Sequence, residues 1–208
     1  MMTLDQNRPT LRSQRLNQIT HAPHEQLDKA VKAVKAHAPF ETLASYARFV
    51  VAQYLFQTEL QSLYNEPALG AIINDLPARC RAEQAGADLA DLNMDLPLPV
   101  AGAVQTPSTA EALGWIFVSE GSKLGAAFLI KRAETLNLSH SFGARHLSEP
   151  AGGRAAGWKT FVRTLDELSL TAEQEAALDR GAIAAFERFN VLLQHAYADA
   201  PVADMAQA

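Results

Sequence analysis

A single apolar segment, residues 108–137, constrains the fold of this chain more than any other feature. Ser108 and Glu111 have the spacing of a capping box, in which a hydroxyl and a carboxylate three residues later satisfy free amide groups at a helix start. Asn137 is a residue type that often ends a helix. The segment therefore predicts one long helix, whose apolar positions are Leu113, Ile116, Phe117, Leu124, Phe128 and Leu129.

The middle of this helix contains two glycines four residues apart, Gly121 and Gly125. A glycine inside a helix costs about 1 kcal/mol relative to alanine, so the pair needs a physical reason. Together with Phe117 and Phe128, the two glycines form a strip of bare backbone with an aromatic ring at each end. Two interpretations follow: close packing against another helix, or a helix that lies over the face of a planar cofactor.

Composition excludes several classes of protein. The net charge of −5 argues against nonspecific nucleic-acid binding, and the single cysteine, Cys80, excludes an intramolecular disulfide and a thiolate metal cluster. No apolar run resembles a secretion signal or a membrane span, so a cytoplasmic protein without a membrane anchor is expected. We expect a loose leader at 1–9, one folded domain at 10–198 and a loose tail at 199–208.

The rest of the sequence also has helical periodicity. Helices are predicted from about residue 10, from 39 to 64, from 77 to 91, from 153 to 168 and from 171 to about 197, with a loop at 93–107. Leu11, Leu16 and Ile19 form the expected apolar side of the first helix, with Arg12 on another side. Thr171 and Gln174 form a second capping box. The predicted fold class is all-α, with one domain.

His24 is the candidate for a metal ligand. It shares a predicted helix face with Leu27 and Val31, and Pro23 lies beside it in a kink or a first helical turn. The chain has no nucleophile elbow, no paired Glu-x-x-His motifs and no phosphate-binding loop. Imidazole is a usual axial ligand of haem iron. A haem between His24 and the Gly121/Gly125 strip would have one protein ligand and one face covered by bare backbone.

Three segments resemble bacterial haem oxygenases, in particular the pseudomonad type. They are the Thr20-x-x-x-His24 arrangement, residues 114–131 (GWIFVSEGSKLGAAFLIK) and residues 142–161 (FGARHLSEPAGGRAAGWKTF). The resemblance implies haem b, as substrate and cofactor, between a proximal helix and a kinked distal helix. It makes His24 the proximal ligand and places Gly121, Gly125 and Ser122 in the catalytic distal helix. Mammalian enzymes have an aspartate where Ser122 stands.

The resemblance also implies the reaction and its participants. Haem is cleaved by O2 and external electrons to biliverdin, carbon monoxide and Fe2+, as a step of iron acquisition. Phe117 is expected in the pocket wall, and the candidates for haem propionate binding are Asn17, Lys32, Lys131 and Arg132. The electron donor would be a ferredoxin or a ferredoxin-NADP reductase, and the oligomeric state a monomer. The cleaved meso carbon is not predicted.

Two other functions use the same residues differently. A haem storage or sensing protein would have the same ligand and would not consume haem. A helical enzyme that acts on small metabolites without haem would use the glycines for packing alone. An oxygenase consumes haem in air under reducing conditions, whereas a storage or sensing protein does not. A helical enzyme that does not use haem would show no Soret band shift in a hemin titration.

Overall fold

The computed structural model describes residues 11–33 and 40–198, and these residues form α-helices and short 3-10 turns without a strand. The helices are α1 (Arg12–Ile19), α2 (His21–Ala33), α3 (Leu43–Tyr64), α4 (Pro67–Gly70), α5 (Ala82–Asp91), α6 (Thr109–Glu134), α7 (Arg154–Glu167) and α8 (Ala172–Ala198). The 3-10 turns are Pro77–Arg79 and Arg145–Leu147. The expected all-α class is therefore confirmed.

The centre of the fold consists of α3, α6 and α8, which pack against one another. Leu113 and Ile116 of α6 are buried beside Leu178 of α8 and Leu60 of α3 in one apolar core. The α1 and α2 helices pack on α8, α5 packs on α3, and α7 packs on α6 and α1. The amphipathic outer helices thus cover a central helix layer whose members are apolar on several sides.

Both predicted capping boxes coincide with helix starts. The Ser108 hydroxyl accepts a hydrogen bond from the amide of Glu111 at 3.3 Å. Thr171 and Gln174 make the full reciprocal pair, with N···O distances of 2.9 and 3.3 Å. At the other end, α6 stops at Glu134, and Asn137 follows in the turn with a φ of 61°. Local capping chemistry therefore predicted the helix starts more closely than the helix end.

Two predicted helix ranges were wrong. The expected helix over 77–91 is a 3-10 turn and then α5, and Cys80 lies half-buried in the link between them instead of on a helix face. The helix expected from 39 begins at Leu43, because the Thr42 hydroxyl accepts from the amide of Ser45 at 3.1 Å and acts as the cap. Pro39 itself lies outside the described residues.

Periodicity also predicted the wrong burial for four side chains. Leu11 is 50% exposed whereas Arg12 is buried, the reverse of the expectation for α1. Phe128, expected among the apolar positions of α6, is 79% exposed. His24 was expected on a buried face and is exposed, while Leu27 on the same helix is half-buried. The side chain of Val31 lies outside the described part of the chain.

By length and composition alone, α6 could cross a membrane. This is weak support for a span, because 44% of its most apolar window is buried inside the protein and the core helix of a soluble protein passes the same test. Among the described residues, no other helix meets the criterion.

Candidate functional site

The environment of α6 changes at Gly121. Every residue from 112 to 120 is buried, but from Gly121 to Glu134 only Ala126 and Ala133 are. Gly125 is exposed, and the Phe128 ring one turn later is 79% exposed. The second half of the helix therefore presents apolar side chains and bare backbone where a core helix would normally be covered.

The two glycines do not mediate close packing between helices. A Cβ atom added at Gly121 would lie 3.4 Å from Trp158 Cη2, an ordinary contact with a ring edge, and one added at Gly125 would meet nothing within 4 Å. The close helix contact lies elsewhere: a Cβ at Gly114 would overlap the Leu178 carbonyl oxygen, and one at Gly181 would overlap backbone of α6. The packing interpretation is therefore wrong for Gly121 and Gly125 and right for Gly114, which the sequence analysis did not single out.

An aromatic cluster adjoins Gly121. Phe117 is buried one turn before the glycine, and its ring centroid lies 5.3 Å from that of Trp158 and 6.5 Å from that of Phe161. Trp158 thus contacts both Phe117 and the Gly121 backbone position. This arrangement brings together two of the predicted site residues, Phe117 and Gly121, and it adds Trp158 of α7.

His24 lies in the first turns of α2. Its amide donates to the Thr20 carbonyl at 2.9 Å, and the Thr20 hydroxyl donates to the Leu16 carbonyl at 2.7 Å, which joins α2 to α1. The imidazole makes an edge contact with the Phe186 ring of α8 at a centroid distance of 5.7 Å. Since α6 also packs on α8, the helix that carries His24 and the helix that carries the glycines share one neighbour.

The remaining predicted residues are spread over the surface. Asn17 is exposed on α1, and Ser122 is exposed with its hydroxyl donating to the Ser119 carbonyl at 2.7 Å. Lys131 is exposed and pairs with Glu134 at 3.1 Å, and the Arg132 guanidinium lies 5.0 Å from the centre of the Phe40 ring. The side chain of Lys32 lies outside the described residues.

A buried polar cluster supports α6 immediately before Gly121. The Glu120 carboxylate accepts from Tyr64 at 3.0 Å and from Arg79 at 3.1 Å, and it also pairs with Lys123. Burial and the Glu120 charge raise the pKa of Tyr64 well above its ordinary value, and burial lowers the pKa of Lys123. The phenol is therefore neutral, and it can both donate to Glu120 and share a hydrogen bond with Ser119. Sequence periodicity alone could not identify this cluster, because Tyr64 and Arg79 are distant from Glu120 in the chain.

These features fit a flat, partly apolar tetrapyrrole with carboxylate arms. Gly125 offers a helix surface with no Cβ and no neighbour within 4 Å, so a ring could approach the backbone closely. His24 supplies an imidazole of the kind that ligates haem iron. Lys131 and Arg132, one to two turns beyond Gly125, supply exposed cations that suit carboxylates.

Comparison with known proteins decides the family. The family model for heme oxygenase matches residues 11–195 of the chain. The chain belongs to the haem oxygenase family. It is 50% identical over 195 residues to heme oxygenase PigA of Pseudomonas aeruginosa, an alignment that covers 93% of this chain and 97% of that protein. This similarity confirms the predicted resemblance to the pseudomonad type.

Solved structures agree with this membership. The NO- and CO-bound haem oxygenase of Neisseria meningitidis superposes with a TM-score of 0.84 at 32% identity, over 93% of this chain and 96% of that one. Haem oxygenase 2 of Chlamydomonas reinhardtii, solved without haem, has a TM-score of 0.69 at 16% identity over 88% of this chain and 96% of its own, and shows the shared fold. This haem oxygenase is accordingly an oxidoreductase that degrades haem to biliverdin and iron, and a storage or sensing role is not favoured.

Proposed function

We propose that this haem oxygenase holds haem between α2 and the exposed half of α6, with His24 as the axial ligand. The observation that carries the proposal is the bare Gly125 position: a Cβ added there would meet nothing within 4 Å, although Gly125 lies in α6, an apolar helix of 26 residues. When bound, haem supplies the iron that binds and activates O2. The protein supplies ligation, orientation and the exclusion of water.

Each residue has a distinct proposed role. His24 holds one face of the haem, and the Gly121 and Gly125 backbone crowds the other face without a side chain. Phe117 keeps water from the distal side, and the Ser122 hydroxyl, already hydrogen-bonded to a backbone carbonyl, helps to order polar groups there.

The positions of the cationic and hydrogen-bonding partners of the propionates would set how haem rotates in its own plane. Asn17, Lys32, Lys131 and Arg132 are the proposed partners of the propionates, whose negative charges favour charge-assisted hydrogen bonds. The choice among them decides which meso carbon lies under the crowded glycine strip, and so which biliverdin isomer forms.

We further propose that the enzyme acts in the cytoplasm, as a monomer, to release iron from acquired haem. The electrons come from outside the chain, because its sequence has no flavin or nicotinamide motif. A ferredoxin or a ferredoxin-NADP reductase is the proposed donor. The catalytic unit is the domain at 10–198, in agreement with the family match at 11–195.

Paired histidine variants test the axial ligand. His21 and His24 are both exposed and lie one turn apart on α2, so His21→Ala is a matched control. In hemin titrations, His24→Ala should lose the Soret band of the histidine-ligated complex and its turnover under ascorbate in air. Added imidazole should restore the band. An unchanged spectrum and unchanged turnover in His24→Ala would refute the assignment.

Charge reversal tests the propionate partners. Lys131→Glu removes a cation near the proposed site and adds an anion, so it should weaken hemin binding and alter the ratio of biliverdin isomers. Lys159→Glu, an exposed position on α7, makes the same change of charge elsewhere and should do neither. If both variants changed hemin binding and the isomer ratio equally, the cause would be the overall charge of the protein, and the proposal that Lys131 binds a propionate would be refuted.

A further inference from the structure

The buried side chains at the start of α1 are polar, whereas periodicity predicts that apolar side chains are buried there. Arg12 is buried, and its guanidinium donates to Glu175 of α8 from Nε at 3.0 Å and from Nη2 at 2.6 Å. The same guanidinium donates to two backbone carbonyls at the end of α7, those of Leu165 and Leu168, the latter at 2.9 Å. Breaking such a buried pair leaves a charge unsatisfied, so the position of α1 is strongly specified.

The contact between α1 and α7 is reciprocal. The cap residue of α1, Leu11, offers no side-chain hydrogen bond. Asp166 of α7 takes that role, because its carboxylate accepts from the Ser13 amide at 2.7 Å and from the Ser13 hydroxyl at 2.8 Å. A residue of α7 thus caps the start of α1 while Arg12 of α1 caps the end of α7. The two helix ends are therefore held in one relative position.

The opposite part of α7 contacts the distal helix. Trp158, about two turns or 10 Å before Leu165 along the helix axis, has its ring edge 3.4 Å from the position of a Gly121 Cβ. In the other direction, α1 continues into α2 through hydrogen bonds across Thr20, including the one donated by the His24 amide. A continuous set of contacts therefore runs from His24 through α1 and α7 to Gly121.

We propose that α7 is a rigid spacer that sets the gap between the two helices which hold haem, and that Arg12 and Asp166 are positioning residues for it. This inference rests on the proposed placement of haem between His24 and the glycine strip. A rigid helix fixed at one end to α1 and at the other to Gly121 determines how far the ligand lies from the covering backbone. Loosening the fixed end changes haem affinity and the geometry under which the ring is attacked.

The chain contains a matched control for the contacts that Arg12 makes with Glu175 and with the end of α7. Arg188 is also buried, pairs through two nitrogens with Glu59 at 2.6 and 2.8 Å, and donates to the carbonyls of Val100 and Ala101 at 2.8 and 2.9 Å. It has the same chemistry as Arg12, but it fastens the 93–107 loop to α3 and α8. Substitution of either arginine removes a buried arginine–glutamate ion pair. Of the two arginines, only Arg12 also contacts α7.

The experiment compares Arg12→Met and Arg188→Met in the full chain, at a temperature where circular dichroism shows both to be folded. Both variants should have a lowered melting temperature. Arg12→Met alone should raise the Kd for hemin, by on the order of tenfold for a displacement of this kind, and change the biliverdin isomer ratio. Asp166→Ala, which keeps the ion pair and removes only the cap of α1, should act in the same direction and serves if Arg12→Met does not fold.

The outcomes separate this proposal from the placement of haem. If the Arg12 and Asp166 variants keep the wild-type hemin Kd and isomer ratio, or if Arg188→Met shifts both equally, the spacer role is refuted. His24→Ala in the same titration reports on haem placement independently. Loss of ligation in His24→Ala together with unchanged Arg12 and Asp166 variants would overturn the spacer role alone.

Discussion

Replacement of Gly125 by alanine should stabilise the apoprotein while it impairs the enzyme. The residue is exposed inside α6, and an added Cβ meets nothing within 4 Å. The variant should therefore gain the full difference in helix propensity, about 1 kcal/mol. For a chain of this size that gain corresponds to a rise in melting temperature of roughly 2–4 °C.

The same methyl group would lie on the backbone surface where we place the haem. We expect turnover to fall roughly tenfold, equivalent to about 1.4 kcal/mol of activation free energy. Calorimetry of the apoprotein and single-turnover kinetics of the hemin complex measure the two effects. Gly157→Ala, at another helical glycine with nothing within 4 Å of its Cβ, is the control and should gain stability without loss of turnover. A lower melting temperature of Gly125→Ala would show that a Cβ at this position does meet neighbouring atoms. Unchanged turnover would refute the proposal that haem lies against Gly125.

Three further predictions concern the apoprotein. Gly114→Ala should lower the free energy of unfolding by about 1–3 kcal/mol, since its Cβ would overlap the Leu178 carbonyl; an unchanged melting temperature would contradict the close helix contact. Hydrogen bonds from Arg12 hold the pKa of Glu175 below its ordinary value, so the stability from this pairing is complete above a glutamate's unfolded-state pKa of about 4.3. This stabilisation is lost as the pH falls through the lower folded-state pKa of Glu175. The melting temperature of Glu175→Gln should therefore decrease less than that of the wild type between about pH 5 and pH 3. Phe128→Ser should change the free energy of unfolding by no more than about 0.5 kcal/mol, because the ring is 79% exposed; a larger loss in urea denaturation would mean that the ring belongs to the core.

The sequence predicted those parts of the fold that depend on local chemistry. The starts of α6 and α8 follow from a Ser or Thr hydroxyl that accepts the amide hydrogen of a residue three positions later, so their signal is contained in the local sequence. The loop at 93–107 follows in the same way from its prolines and glycine. The resemblance identified the family because whole segments carry it, and periodicity contributed little to that conclusion.

The features that the sequence could not predict depend on partners far along the chain. Arg12 is buried because Glu175 and two carbonyls of α7 meet it there, and no pattern within α1 indicates them. Gly114 and Gly121 look alike in the sequence, yet one meets the backbone of α8 and the other a tryptophan ring. Phe128 fits an apolar helix stripe, but its face of α6 has no covering helix among the described residues.

The change of environment along α6 has a consequence for how such an enzyme can evolve. In the first half of the helix every residue from 112 to 120 is buried, including Gly114 at the crossing with α8, whereas in the second half, from Gly121, only Ala126 and Ala133 are buried. Substitutions at its exposed positions should therefore cost little folding free energy, and under the haem placement proposed above they would alter the regiochemistry of cleavage. Lineages that share this helix can diversify their bile pigments without first acquiring compensating mutations in the core.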